Sequence, residues 1–167
     1  MGKTIIKRTK SDWDKFFLGL CKYYSTASKD PSTKVGCVIT DGEKEVVSMG
    51  WNGFRPDVDD TLEGLENREF KLLNTVHAEI NALERIPYSK VGIIEDFLLS
   101  ARKMTLYVYP FLPCSSCAIS IGMRRTIDKV VSTDYIPERW RKDIERGLEE
   151  FKWRGIEVIT YPIDEII

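Results

Sequence analysis

The sequence predicts an α/β protein, a three-layer α/β/α sandwich on a mixed five-stranded sheet, and three observations carry that prediction. First, 167 residues with 43% hydrophobic and 31% charged composition suit one globular core, so residues 1–167 read as a single domain. Second, two β-rich runs, 34–40 and 45–51, flank Asp41-Gly42-Glu43-Lys44, and Asp-Gly is turn chemistry for an antiparallel hairpin. Third, helical and β patterns alternate after the hairpin. That alternation adds parallel strands through helical crossovers and covers both faces of the sheet.

Each element follows from local pattern. Ser11 is the expected N-cap of a first helix whose Trp13, Phe16, Phe17, Leu20, Cys21 and Tyr24 share one face. Cys37 reads as a small buried residue of the first strand. From 52 to 67 the chain is polar, with Gly53, Pro56, Asp57, Asp59, Asp60 and Gly64, and reads as a long loop whose acidic groups are solvated. Val76, Ile80 and Leu83 have helical spacing up to Pro87, which places His77 and Glu79 near a helix start. A short extra helix is expected over 93–102. Residues 104–109 form a strand, and the turn through Pro110 and Pro113 delivers Cys114 to the head of a helix running to about Arg125. Another strand spans 129–133. Pro137 opens a last helix with Trp140, Ile144, Leu148 and Phe151 on one stripe, and Gly155 ends it before a strand over 156–161.

Charge and leader content narrow the function. With 25 basic and 26 acidic residues the net charge is −1, so no global field favours DNA or RNA, although a mononucleotide needs only local donors. The basic runs Lys7, Arg8, Lys10 and Arg139, Arg141, Lys142 read as solvated faces. Residues 1–6 lack an apolar signal core, and no uncharged run is long enough to span a bilayer, which predicts a soluble, cytoplasmic protein without a membrane partner. Four cysteines are too few for a disulfide scaffold.

The chemistry concentrates in two short motifs. Cys114 and Cys117, three apart at a helix start, share one face and could grip one ion, helped as thiolates by the helix dipole. Alone, C-x-x-C also serves redox folds and structural zinc knuckles. His77 is the single histidine. Added to the pair it makes one imidazole and two sulfurs, a set that suits tetrahedral zinc and leaves a fourth position open, which implies catalysis. Glu79, two residues on, can reach that position and move a proton without itself being a ligand. His77-Ala78-Glu79 followed by Pro113-Cys114-Ser115-Ser116-Cys117 matches H-x-E…P-C-x-x-C, the known signature of zinc deaminases.

On these motifs, and on Ser28-Lys29-Asp30-Pro31-Ser32-Thr33-Lys34-Val35-Gly36 and Gly50-Trp51-Asn52-Gly53, the chain resembles the cytidine and deoxycytidylate deaminase superfamily, most of all its dCMP deaminase branch. The resemblance implies a cytidine deaminase-like fold, one catalytic Zn²⁺ on His77, Cys114 and Cys117, and Glu79 as proton shuttle. It implies that Asn52 holds the sugar 3′-hydroxyl, that the Ala78 N–H meets the pyrimidine O2, and that Tyr135 and Lys34 contact the 5′-phosphate. The implied reaction is hydrolytic deamination of dCMP to dUMP and ammonia, supplying dUMP for thymidylate synthesis. It further implies a homo-oligomer, a hexamer, activated by dCTP and inhibited by dTTP with Mg²⁺, and Lys29, Asp30, Gly53 and Phe54 as effector-contact candidates. The loop after Gly53 runs Phe54-Arg55-Pro56-Asp57-Val58 and departs from the usual family pattern, and no second, structural zinc is expected. Two alternatives stay open on the sequence: a deaminase of another cytosine or purine substrate, including a polynucleotide, and a non-enzymatic zinc module.

Overall fold

The computed structural model describes residues 7–87, 89 and 104–167. Helix α1, Lys10–Ser25, is capped by Thr9 and not by Ser11. The Asp12 amide donates to the Thr9 hydroxyl at 3.1 Å, and the Thr9 amide donates back to the Asp12 carboxylate at 2.7 Å. The position three residues past Thr9 therefore completes a reciprocal capping box. Three past Ser11 stands Asp14, whose buried carboxylate instead accepts from the hydroxyls of Tyr107 at 3.0 Å and Tyr161 at 2.9 Å.

The hairpin strands are β1, Gly36–Thr40, and β2, Val46–Trp51. Asp41 shapes their turn by accepting from the Glu43 and Glu45 amides at 3.0 Å. The main sheet adds β5, Met104–Tyr109, β6, Ile127–Thr133, and β7, Glu157–Tyr161, in the order β2-β1-β5-β6-β7. Pairing is antiparallel from β2 through β1 to β5 and parallel from β5 through β6 to β7, the mixed sheet that the pattern predicts. Period-two alternation divides its side chains between two cores. Val38, Tyr107 and Val131 face α1 with Phe17 and Leu18. Cys37, Ile39, Leu106, Val108 and Val130 face the opposite way. There they meet α4, Ala78–Glu84, α5, Ser115–Met123, and α6, Arg141–Arg154, which ends at Gly155 with φ 67°.

The stretch read as a continuous loop is partly ordered. It holds a two-residue strand β3, Gly53–Phe54, and helix α2, Leu62–Glu66, and is followed by helix α3, Arg68–Asn74, and strand β4, Thr75–Val76. Thr61 caps α2 through the Gly64 amide and Asn67 caps α3 through the Phe70 amide. Val76 is accordingly a strand residue paired with Gly53, and α4 starts two positions later than the periodicity suggests. A five-residue helix is too short to show periodicity, so only its caps could have revealed it. The helix expected over 93–102 lies outside the described residues. Among those described, no helix is long and apolar enough to cross a membrane.

Candidate metal and active site

His77 and Cys114 are both N-cap residues, of α4 and α5, held in extended backbone with no side-chain cap bond of their own. Each side chain is thereby left free to turn toward the other. His77 Nδ1 stands 3.2 Å from Cys117 Sγ and 3.5 Å from Cys114 Sγ. Tetrahedral zinc with bonds of ~2.0 Å to nitrogen and ~2.3 Å to sulfur sets such atoms about 3.5 Å apart, so this donor set fits the ion. Nδ1 is the ring atom placed to ligate. Among the described residues these three form the one His/Cys/Asp/Glu group whose ligand atoms converge in this way, all within 4.8 Å of one another.

The protons of the cluster follow from its contacts. The Cys117 hydrogen bond drives Cys114 down to about 4 against the cost of burial, with His77 helping. The same bond to Cys114, with burial, pushes Cys117 well up. His77 rises to about 9, chiefly through its bond to Cys114. The two thiols and the imidazole are thus coupled, each setting where the others hold their protons. The helix dipole does not make both sulfurs thiolates without a cation, since two adjacent anions would repel.

Glu79, in the first turn of α4, is only 5% exposed. Burial pushes its carboxyl up, opposed by the His77 charge, and it meets the Cys117 thiol. A solvated helical glutamate would show neither property. A pocket joins these groups to the rest of the site. It is lined by His77, Ala78, Glu79 and Cys114, by Asn52, and by the cations Arg68, Lys71 and Arg139. Ala78, as the first residue of α4, has an N–H with no intrahelical acceptor.

The chain from Ser28 to Val35 forms a strap along the pocket. Asp30 accepts from the Ser32 and Thr33 amides at 2.8 and 3.0 Å and from the Lys71 ammonium at 3.2 Å. Arg139 donates to the Thr33 hydroxyl at 2.5 Å. Asn52 donates to the Thr33 carbonyl at 2.9 Å and accepts from the Val35 amide at 2.8 Å. Its side chain thus supports the strap and retains one N–H and one lone pair for a ligand.

Of the other expected residues, Asp30 lines this pocket, whereas Lys34 and Tyr135 stand outside its lining. The Lys34 ammonium donates to the Ser28 carbonyl at 2.7 Å, and Tyr135 is exposed with its ring tilted against pocket-lining Phe111. Lys29 pairs with Asp60 at 2.7 Å, and Gly53 and Phe54 pair with Val76 and Thr75. Sequence reading passed over Arg68 and Lys71, although Asn67 as a helix cap puts them on one face at i, i+3. It took Arg139 for part of a solvated run.

Comparison with known proteins agrees with this geometry. Residues 11–133 match the family model described as the cytidine and deoxycytidylate deaminase zinc-binding region. An uncharacterized deaminase encoded in the luxG 3′ region of Aliivibrio fischeri is 34% identical over 92% of this chain and 97% of its own. A probable deoxycytidylate deaminase of Caenorhabditis elegans is 40% identical over 61% of this chain, which spans 48% of that relative's length. The crystal structure of dCMP deaminase from the cyanophage S-TIM5 in complex with dCMP and dUMP superposes with a TM-score of 0.67 at 21% identity, covering 92% of this chain and 100% of that one, a likeness of fold. Motif, site and matches agree that this chain belongs to the cytidine and deoxycytidylate deaminase family.

Proposed function

We propose that this deaminase converts dCMP to dUMP and ammonia. The observation that carries the reading is one pocket lined by His77 and Cys114 of the metal-ligand group, by Glu79, and by Arg68, Lys71 and Arg139. In a chain of net charge −1, three cations from two separate elements on one cleft are a local arrangement suited to a phosphate ester.

A zinc ion held by His77, Cys114 and Cys117 supplies Lewis acidity and activates water near neutral pH. Glu79 takes one proton of the attacking water and gives it to ring N3, then takes the second from the hydroxyl left on C4 and passes it to the amino group, so that the C4–N bond breaks as the C4 carbonyl forms and ammonia leaves. The Ala78 N–H donates to the pyrimidine O2 and so fixes which edge of the ring faces Glu79. Asn52 offers its remaining amide hydrogen and lone pair to the 3′-hydroxyl. Arg68, Lys71 and Arg139, with the Ser32 and Thr33 hydroxyls, receive the 5′-phosphate. These cations join Lys34 and Tyr135, the phosphate contacts that the resemblance implies, as the proposed phosphate-binding groups.

The test is ammonia release from dCMP, dCTP, deoxycytidine, CMP and single-stranded DNA, with and without added dCTP and dTTP. The expected kcat/KM for dCMP exceeds that for deoxycytidine at least tenfold. Equal values overturn the reading, and a preference for single-stranded DNA replaces it with the polynucleotide one. The nucleotide additions and the native mass test the regulation and hexamer that the resemblance implies.

A further inference from the structure

Cys114 occupies the N-cap position of α5 but does not cap it, because its sulfur is turned to His77 and Cys117. The first amides of that helix therefore need an acceptor from elsewhere. Helix α6 supplies one. Asp143 accepts from the Ser115 hydroxyl through Oδ1 at 2.5 Å and from the Ser115 amide through Oδ2 at 3.4 Å. Ser115 lies between the two sulfur-bearing residues, so this carboxylate holds the turn that spaces them.

One turn further along the same face stands Gly147. A Cβ there would lie 2.9 Å from the Pro113 carbonyl oxygen, 3.4 Å from Ala118 Cβ and 3.5 Å from the Cys114 carbonyl carbon. The absence of a side chain lets α6 lie directly on the Pro113-Cys114 backbone, and Asp143 then reaches Ser115. Both residues fall beyond 133, where the matched family region ends.

We infer that Asp143, with Gly147 beneath it, is a positioning residue of the metal site, acting through Ser115 to set the separation and orientation of the Cys114 and Cys117 sulfurs. Partners of metal ligands commonly change metal affinity 10- to 100-fold when removed. An acceptor that orders the backbone between two ligands belongs in that class. Asp143 also puts a negative charge at the positive end of α5, so the helix start is satisfied without drawing on the sulfurs.

The inference rests on His77, Cys114 and Cys117 holding zinc, and is independent of dCMP as substrate. The experiment measures zinc affinity of the full-length protein by chelator competition, and the visible absorption of the Co²⁺-substituted form. Asp143→Ala is expected to weaken zinc at least tenfold and to alter the Co²⁺ bands. Asp143→Asn, which still accepts from the Ser115 hydroxyl, recovers most of that loss. Arg154→Ala is the control, since the Arg154 guanidinium ties α6 to the far end of α5 through the Gly122 carbonyl at 3.2 Å. Should Asp143→Ala fold poorly, Ser115→Ala reads the same contact from its other side and is expected to weaken zinc several-fold. Zinc affinity within twofold of the parent in the folded variants, or an equal loss in Arg154→Ala, overturns the inference. A parent that binds no zinc overturns the metal-site reading instead.

Discussion

The Val35 amide donates to the Asn52 side-chain oxygen at 2.8 Å, and this bond fastens the pocket strap to the end of β2. Asn52 is 5% exposed, so truncation leaves the buried Val35 donor without its acceptor. Asn52→Ala should lower stability by about 1–3 kcal/mol, the cost of an unsatisfied buried group. Because the strap also carries Thr33 toward Arg139, KM for the nucleotide should rise more than kcat falls. Thermal unfolding and steady-state kinetics on one preparation check both.

Glu79→Gln separates a proton shuttle from a zinc module. The glutamine has nearly the same shape, and none of the three metal-ligand side chains is touched, so one zinc per chain should remain. Turnover should fall by roughly 10²–10⁴-fold, the usual worth of general acid–base catalysis. Zinc content by elemental analysis beside ammonia release decides it, and unchanged turnover would remove Glu79 from the mechanism.

Asp30 gives a pH signature to the strap. Burial raises its carboxyl, but the Ser32 and Thr33 amides, the Ser32 hydroxyl and the Lys71 ammonium outweigh that and leave it below its ordinary 3.8. A group with a depressed native pKa favours folding above its unfolded value and loses that contribution as pH falls through the native one. The stability gap between the parent and Asp30→Asn should hold steady above about pH 5 and close as pH drops through and below 3.8. Urea unfolding of both proteins at stepped pH measures it.

How much of this was legible in the sequence depended on the range over which each residue acts. His77, Glu79, Cys114 and Cys117 lie in two short motifs, and the helix starts that orient them follow from nearby Pro87 and Pro113, so the residues that the structure gathers at the candidate site could be named directly. The mixed sheet was likewise implied by the Asp41-Gly42 turn and the alternation after it, whereas the strand order, which sets β1 between β2 and β5, came from the structure. Ser11 misled because the choice between caps at 9 and 11 is settled by where the carboxylates at 12 and 14 end up, and Asp14 is drawn into the core beneath α1 by Tyr107 and Tyr161. Arg139 was invisible as a pocket residue because its partner, Thr33, is 106 positions away. A basic run looks the same in sequence whether one of its members faces solvent or a substrate.

Metal removal should act on the fold as well as on turnover. His77 and the two cysteines lie at the starts of α4 and α5, so an ion bound there ties these two helix starts together. Binding to the native state alone stabilises by about 4 kcal/mol when free metal is 1,000 times Kd. A chelator should lower the unfolding temperature and abolish ammonia release, and added Zn²⁺ should restore both. Ca²⁺ or Mg²⁺ should restore neither, because a sulfur-rich set selects against hard cations.

At Gly50 the sheet lies close against α4, the helix that carries Glu79. A Cβ at that position would lie 2.5 Å from the Ala78 carbonyl oxygen, 2.6 Å from the Ala82 nitrogen and 2.9 Å from Asn81 Cβ. Two of these are backbone atoms of α4, which cannot move aside singly. Nor can the helix drift freely, since the Ser48 hydroxyl donates to the Ala82 carbonyl at 2.5 Å and the Asn81 side-chain Nδ2 to the Trp51 carbonyl at 2.8 Å, on either side of the contact. Gly50→Ala must therefore shift α4 as a unit, carrying Glu79 and the adjoining His77 away from Cys114 and Cys117. Overpacking of this kind costs typically about 1–3 kcal/mol. Zinc affinity should fall with stability, because the ligand on the moved helix no longer meets the two on α5. Gly53→Ala is the comparison: nothing lies within 4 Å of a Cβ there, and its stability should stay within about 0.5 kcal/mol of the parent. If Gly50→Ala keeps the parent's zinc affinity and unfolding temperature, the close approach of β2 and α4 does not set the position of His77.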